Sequence, residues 1–119
     1  MPDLLFVYGT LRSSFDNPHA RLLRGGAELL SGATVRGSIC RIEHYPAFQP
    51  GPAGTVFGEL YRIADPATLL AILDEYEGPE VPRVRVTVEH RGAAKQAWTY
   101  RYSGDPPRDS LIVSGDFCA

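Results

Sequence analysis

The sequence predicts an α+β domain in which a small mixed, mostly antiparallel β-barrel is accompanied by one or two helices. Three observations carry that expectation. Short apolar or alternating runs bounded by turn residues recur along the chain, hairpin-like neighbours outnumber strand-helix-strand units, and only one segment has a clear helical period. Twelve glycines and ten prolines in 119 residues exceed the usual share of roughly 12% and supply the turns that such a sheet needs. The length suits one domain, residues 1–119, and shows no internal repeat, low-complexity tract or linker.

Taken in order, residues 4–8 form a short apolar run closed by Gly9, the pattern of a buried strand entering a turn. One or two helical turns follow at residues 19–24, ended by Gly25 and Gly26. Residues 35–42 and 55–63 read as strands. Between them the stretch from His44 to Gly54 holds Pro46, Pro50, Pro52, Gly51 and Gly54 and is expected to be a loop. The clear helix starts at Asp65-Pro66, a good cap followed by proline at the first helical position. Leu69, Ile72, Leu73 and Tyr76 then recur at the spacing of one buried face, and Gly78-Pro79 ends the helix. Val84, Val86 and Val88 alternate with Arg85, Thr87 and Glu89 in a half-buried strand, which turns at residues 91–94 into a second strand, 96–102. After Asp105-Pro106-Pro107 a last short strand is expected at 111–113, about six in all.

Charge and cysteine content exclude several classes. Lysine and arginine number 12 against 14 acidic residues, a formal −2, and the basic residues are scattered, so the footprint of a nucleic-acid binder is missing. No apolar run approaches the roughly 18 residues that span a bilayer, and residues 4–7 are too short for a signal peptide, which points to the cytoplasm. Cys40 and Cys118 then read as reduced thiols; Cys40 with His44 is at most half a metal site, and no metal is expected. Ser13, Ser14, Ser110 and Ser114 lack the context of a nucleophile elbow, and no phosphate-binding glycine motif is present.

Two features carry chemistry. The last turn of the long helix holds Asp74, Glu75 and Glu77, where the helix dipole disfavours anions by roughly 0.3 to 1 kcal/mol each when exposed. On the helical wheel Glu77 falls near Leu70, Leu73 and Asp74, at the margin of the apolar face, whereas Glu75 falls away from it. A carboxylate held there favours its protonated form and becomes a better proton acceptor near neutrality; the alternative is three solvated surface acids. The second feature is Tyr8-Gly9-Thr10-Leu11-Arg12. A strand running into Gly-Thr exposes consecutive backbone N–H groups to which a carboxylate or oxyanion can bind, though such a turn can equally be only a turn. His44 is either a base or a loop residue, His90 beside the hairpin turn is expected to be solvated, and Glu59 to point outward from its strand.

In combination these residues resemble a known family. Phe6-Val7-Tyr8-Gly9-Thr10-Leu11-Arg12, then Asn17 and His19, His44-Tyr45-Pro46, Gly54-Thr55-Val56, Gly58-Glu59-Leu60-Tyr61, Leu73-Asp74 with Glu77-Gly78, Arg83, and Ser114-Gly115-Asp116-Phe117 are similar, in order and over nearly the whole chain, to the gamma-glutamylcyclotransferase-like family. That family includes gamma-glutamylamine cyclotransferases and small bacterial members. The resemblance implies a barrel with a cavity at one end, backbone binding of a small gamma-glutamyl substrate by Tyr8, Gly9, Thr10 and Leu11, and Glu77 as the acid/base, with no cofactor. Arg12, Asn17, Tyr45 and Arg83 are expected as rim or support residues. A gamma-glutamyl amide brings its own nucleophile, the α-amine, so the reaction releasing 5-oxoproline and an amine needs only a base, oxyanion donors and an acid. Family enzymes place a tyrosine where this chain has Val81, on a loop about two residues longer than the stretch from Gly78 to Pro82. The substitution keeps a second reading open: a small-ligand-binding or regulatory module on the same fold without turnover.

Overall fold

The computed structural model describes residues 3–9, 11–12, 17–42, 45–106 and 108–117, with Tyr45, Ala53 and Arg108 described by backbone alone. Thr10, Ser13, Ser14, His44 and Cys118 fall outside the described residues. Five strands, β1 (Leu4–Val7), β2 (Ala27–Ile42), β3 (Tyr45–Ile63), β4 (Arg83–His90) and β5 (Ala93–Tyr100), close into a barrel in the order β1-β3-β2-β4-β5. Helix α1 (Pro18–Gly26) precedes β2 and α2 (Pro66–Glu77) follows β3. All pairings are antiparallel except the closing one, where β1 meets β5 in parallel at Leu5↔Trp98. The mixed, mostly antiparallel barrel with two helices is the predicted class.

Strand β1 is buried on both faces, which is why it reads as a continuous apolar run rather than an alternation. Leu4, Phe6 and Tyr8 pack with Val35, Ile39, Phe48, Val56, Leu60 and Val88 inside the barrel. Leu5 and Val7 face the other way, onto Leu23 of α1 and Leu69, Leu70 and Leu73 of α2. One strand thus joins both cores.

Helix α2 begins where the sequence says, at Asp65-Pro66, while α1 starts at Pro18 and runs through Gly25 and Gly26, the residues expected to end it. Asn17 caps α1, its side-chain oxygen accepting from the Ala20 N–H at 2.8 Å, and Asp65 caps α2 by accepting from the Thr68 N–H. Gly78 ends α2 with φ +83°, its N–H donating to the Asp74 carbonyl at 3.1 Å. The buried face of α2 differs from the predicted one. Leu69, Leu70 and Leu73 are buried, whereas Ile72 and Tyr76 are 40% and 43% exposed. The helix is rotated so that Leu70, Leu73, Asp74 and Glu77 form its inner stripe, because the barrel wall, not the densest apolar count, selects the contact face.

Three further expectations are corrected. The segment from His44 to Gly54, expected as a loop, belongs from Tyr45 onward to β3, which pairs with β2 from Ile42↔Tyr45 to Gly37↔Pro50 and resumes at Arg36↔Thr55. Only residues 51–54 are in excess at that shift. Prolines are tolerated because β1 pairs with β3 only at residues 59–62, so Pro46 and Pro50 lie where β3 pairs with β2 alone. His90 is not solvated but 4% exposed: it continues the inward parity of Val86 and Val88. Its Nδ1 lies 2.9 Å from Lys95 Nζ and its Nε2 2.6 Å from Ser31 Oγ, so the lysine donates to Nδ1 and the ring in turn donates to the serine. At residues 111–113 there is a single bridge, Cys40↔Leu111, and no sixth strand. The hairpin between β4 and β5 is a two-residue turn with Arg91 and Gly92 both in the left-handed region.

Gly58 marks where the barrel tolerates no side chain. A Cβ there would collide with the Val7 carbonyl oxygen and the Phe6 ring, while one at Gly51 meets nothing within 4 Å. Gly58→Ala is therefore expected to lower stability by about 1 to 3 kcal/mol in urea denaturation and Gly51→Ala by less than about 0.5 kcal/mol.

Candidate active site

Where β1 ends, the Arg12 N–H donates to the Gly9 carbonyl at 3.0 Å and folds the chain into a tight turn. Glycine is required there because a Cβ at Gly9 would enter the Pro46 ring. Beside this turn lies a cavity of about 270 Å³. Phe6, Val7, Tyr8, Gly9 and Leu11 form one part of its lining, Tyr76 and Glu77 come from the end of α2, and Pro46, Val81 and Tyr100 complete it. The inner stripe of α2 therefore delivers Glu77 to the same cavity as the strand-end turn.

The two carboxylates on that stripe meet different environments. Asp74 Oδ1 accepts from the Tyr100 hydroxyl at 2.7 Å and from Arg83 Nε at 2.9 Å, and Oδ2 accepts from Arg83 Nη2 at 3.2 Å. The Arg83 guanidinium also lies 4.4 Å over the Trp98 ring. Glu77 has no such partner among the described residues, and burial pushes its carboxyl up from 4.5 to about 7. Among the described residues that line the cavity, it is the one ionisable group poised near neutrality. Burial, with the Glu77 charge adding to it, raises the Tyr8 phenol far above its usual range. Tyr8 therefore stays protonated and donates to the Tyr100 carbonyl at 2.7 Å, tying β1 to β5 across the cavity wall. The Tyr100 phenol is raised as well, first by burial and then by its bond to Asp74.

Of the sequence-predicted residues, Glu77, Tyr8, Gly9 and Leu11 share the cavity, and Thr10 lies outside the described residues. Of the four support residues, Arg12, Asn17 and Arg83 are away from its lining. Arg12 Nη1 pairs with Asp116 Oδ1 at 2.7 Å and tethers the C-terminal segment to the turn. Asn17 is the α1 cap, Arg83 grips Asp74, and the Tyr45 side chain is not described. Glu59 sits on β3 opposite Val7 and does not line the cavity. Sequence reasoning missed Tyr76, assigned to the helix core, and Tyr100, read only as strand. Pairing Tyr76 with Glu77 as neighbours at one helix end could have found the first; no local signal marks the second. Among the described residues no three histidine, cysteine, aspartate or glutamate side chains gather as a metal site, and no helix is long and apolar enough to cross a membrane.

Comparison with known proteins adds to this geometry. The family described as Gamma-glutamyl cyclotransferase, AIG2-like matches residues 5–119. The gamma-glutamylcyclotransferase family protein YtfP of Escherichia coli (strain K12) is 37% identical over 116 residues, covering 95% of this chain and 94% of its own. Among solved structures, YkqA from Bacillus subtilis superposes with a TM-score of 0.77 at 28% identity, over 98% of this chain and 40% of that longer one. An AIG2-like protein from Mus musculus shares the fold, with a TM-score of 0.74 at 22% identity over 96% of this chain and 86% of its own. A match over nearly the whole chain, on a barrel of the same build, places it: the protein belongs to the gamma-glutamyl cyclotransferase, AIG2-like family.

Proposed function

We propose that the protein is a gamma-glutamyl cyclotransferase acting on a gamma-glutamyl amine or a related gamma-glutamyl compound, releasing 5-oxoproline and a free amine. The observation that carries this reading is Glu77: a carboxyl without a partner among the described residues, raised to about 7, in the same cavity as the turn at Gly9. In the proposed reaction the Glu77 carboxylate takes a proton from the substrate's α-ammonium. The freed amine attacks the γ-carbonyl carbon and a ring C–N bond forms; Glu77 returns its proton to the leaving nitrogen, the C–N bond to the leaving amine breaks, and the extra proton left on the ring nitrogen passes to the departing amine, which leaves as its ammonium. Backbone N–H groups of the turn hold the glutamyl head group and stabilise the developing oxyanion. Ring closure is intramolecular, so much of the barrier is lowered by positioning. No step calls for a metal or a cofactor.

A second reading, a binding module without turnover, has one observation in its favour: Val81 lines the cavity where the resembled enzymes carry a tyrosine. The two separate on one variant. Glu77→Gln is expected to lower 5-oxoproline release from a panel of gamma-glutamyl amides at least 100-fold. The same change should raise the melting temperature above pH 7. A carboxyl that is harder to ionise when folded (about 7) than its ordinary 4.5 favours the native state fully below pH 4.5, and that benefit is lost as pH rises to 7. Release that persists in Glu77→Gln overturns the role given to Glu77; measurable binding without release from any member of the panel favours the module.

Because the base must be ionised to accept a proton, kcat/KM should rise with pH along an acid limb centred near 7. An acid limb centred near 4.5 would mean that the working group is not the desolvated Glu77.

A further inference from the structure

Asp74 and Glu77 are three residues apart on α2, the spacing that puts two side chains on one face with their Cβ atoms about 5 to 6 Å apart. An unopposed charge on Asp74 would therefore act directly on the Glu77 carboxyl. Three elements converge to oppose it. Arg83 opens β4 and Tyr100 closes β5, and the register makes them cross-strand partners. Both reach the same carboxylate, Arg83 through Nε at 2.9 Å and Nη2 at 3.2 Å, Tyr100 through its hydroxyl at 2.7 Å. Trp98, two residues before Tyr100 on the same face of β5, lies against the guanidinium at 4.4 Å from its ring centroid. The backbone between α2 and β4 is tied down as well: the Gly78 N–H donates to the Asp74 carbonyl at 3.1 Å, the Arg101 N–H to the Pro82 carbonyl at 3.0 Å and the Ser103 N–H to the Glu80 carbonyl at 2.9 Å. Asp74, its arginine and its tyrosine form one braced unit, and Glu77 sits one turn further along the same helix.

The bracing has an electrical consequence. Arg83 and Asp74 carry opposite charges 2.9 Å apart, so their fields largely cancel at Glu77. With the pair intact, burial is what raises the Glu77 carboxyl. The other titratable groups with described side chains in the cavity lining are Tyr8 at the end of β1, Tyr76 on α2 and Tyr100 on β5, and burial keeps Tyr8 and Tyr100 protonated and uncharged. Glu75 on α2 and Glu80 in the loop that follows are exposed.

We propose that Arg83 is a positioning residue for Glu77: paired with Asp74, it fixes the last turn of α2 against β4 and β5 and cancels the charge that Asp74 would otherwise impose on the carboxyl in the cavity. That this carboxyl moves protons in turnover rests on the cyclotransferase reading; the charge balance does not.

Two variants with opposite expected signs test it. Glu77 is titrated by carbon-detected NMR in Arg83→Gln, which removes the cation but keeps a shorter amide donor for Asp74, and in Asp74→Asn, which removes the anion but keeps an acceptor for Arg83 and Tyr100. Arg83→Gln should raise the midpoint by about one pH unit, because an unopposed anion disfavours a second one, and Asp74→Asn should lower it by a similar amount. The double variant Asp74→Asn/Arg83→Gln should return it to about 7, and Arg83→Lys, which keeps the charge, should hold it there. A pair that only braces the helix gives a different pattern: loosening admits water, and every variant moves the midpoint down toward 4.5. That pattern overturns the inference, as does an unmoved midpoint in both single variants. If Arg83→Gln does not fold, Asp74→Asn and the double variant decide: a midpoint lowered in the first and restored in the second supports the inference, and one lowered further in the second overturns it. Where 5-oxoproline is released, the acid limb of kcat/KM should shift with the midpoint. If no gamma-glutamyl amide yields 5-oxoproline, the cyclotransferase reading falls and the NMR midpoints alone decide the role of Arg83.

Discussion

The site depends on the way Leu70 and Leu73 seat α2 against the barrel, because Asp74 and Glu77 lie on the same stripe and are carried in with them. The apolar contact sets the rotation of the helix, and the rotation sets the electrostatics. Two anions at a helix C-terminus face the negative end of the dipole, and burial makes Glu77 harder to ionise. At Asp74 the fold answers with a bidentate arginine and a tyrosine hydroxyl. At Glu77 it supplies no such partner among the described residues, and the carboxyl holds its proton up to about neutrality. Three residues apart on one helix, one acid is structural and the other is available.

The barrel supplies the second half of the site and keeps it in place. β1 is clamped between β3 and β5 and buried on both faces, and the Arg12 N–H on the Gly9 carbonyl closes the turn that leaves it. The Tyr8 hydroxyl on the Tyr100 carbonyl and the Arg12 pair with Asp116 tie the strand end and the turn to segments roughly a hundred residues away in the chain. A further strut runs from the Thr99 hydroxyl to the Phe6 carbonyl at 2.9 Å. Functional groups on such rigid elements need little ordering when a ligand arrives, which lowers the entropic cost of binding.

Much of this is legible in the sequence, for physical reasons that also explain what is not. Buried β1, the cap at Asp65, the terminating Gly78 and the alternation of β4 are local properties of short windows, and each reads correctly. The position of Glu77 beside Leu70 and Leu73 follows from helical geometry alone. What depends on partners distant in sequence does not read. Nothing near Pro46 or Pro50 says that β1 stops pairing with β3 before it reaches them, so the composition of a loop concealed a strand. Tyr76 and Ile72 satisfy the helical period as well as Leu70 does, and only the surface of the barrel decides between them. His90 next to a turn looks solvated until β4 is known to keep its inward parity to the last residue. Arg83 and Arg12 were anticipated as support residues, but their acids, Asp74 and Asp116, are fixed by the tertiary fold.

The most direct test of the central claim, that a desolvated carboxyl waits in the cavity, is a titration of Glu77 itself. Carbon-detected NMR of the side-chain carboxyl, assigned by its disappearance in Glu77→Gln, follows its ionisation from pH 4 to pH 9 with no substrate present. A midpoint near 7 is the result expected from burial. A midpoint at the ordinary glutamate value, near 4.5, would contradict it, because a carboxyl titrating there is solvated and the cavity does not hold it.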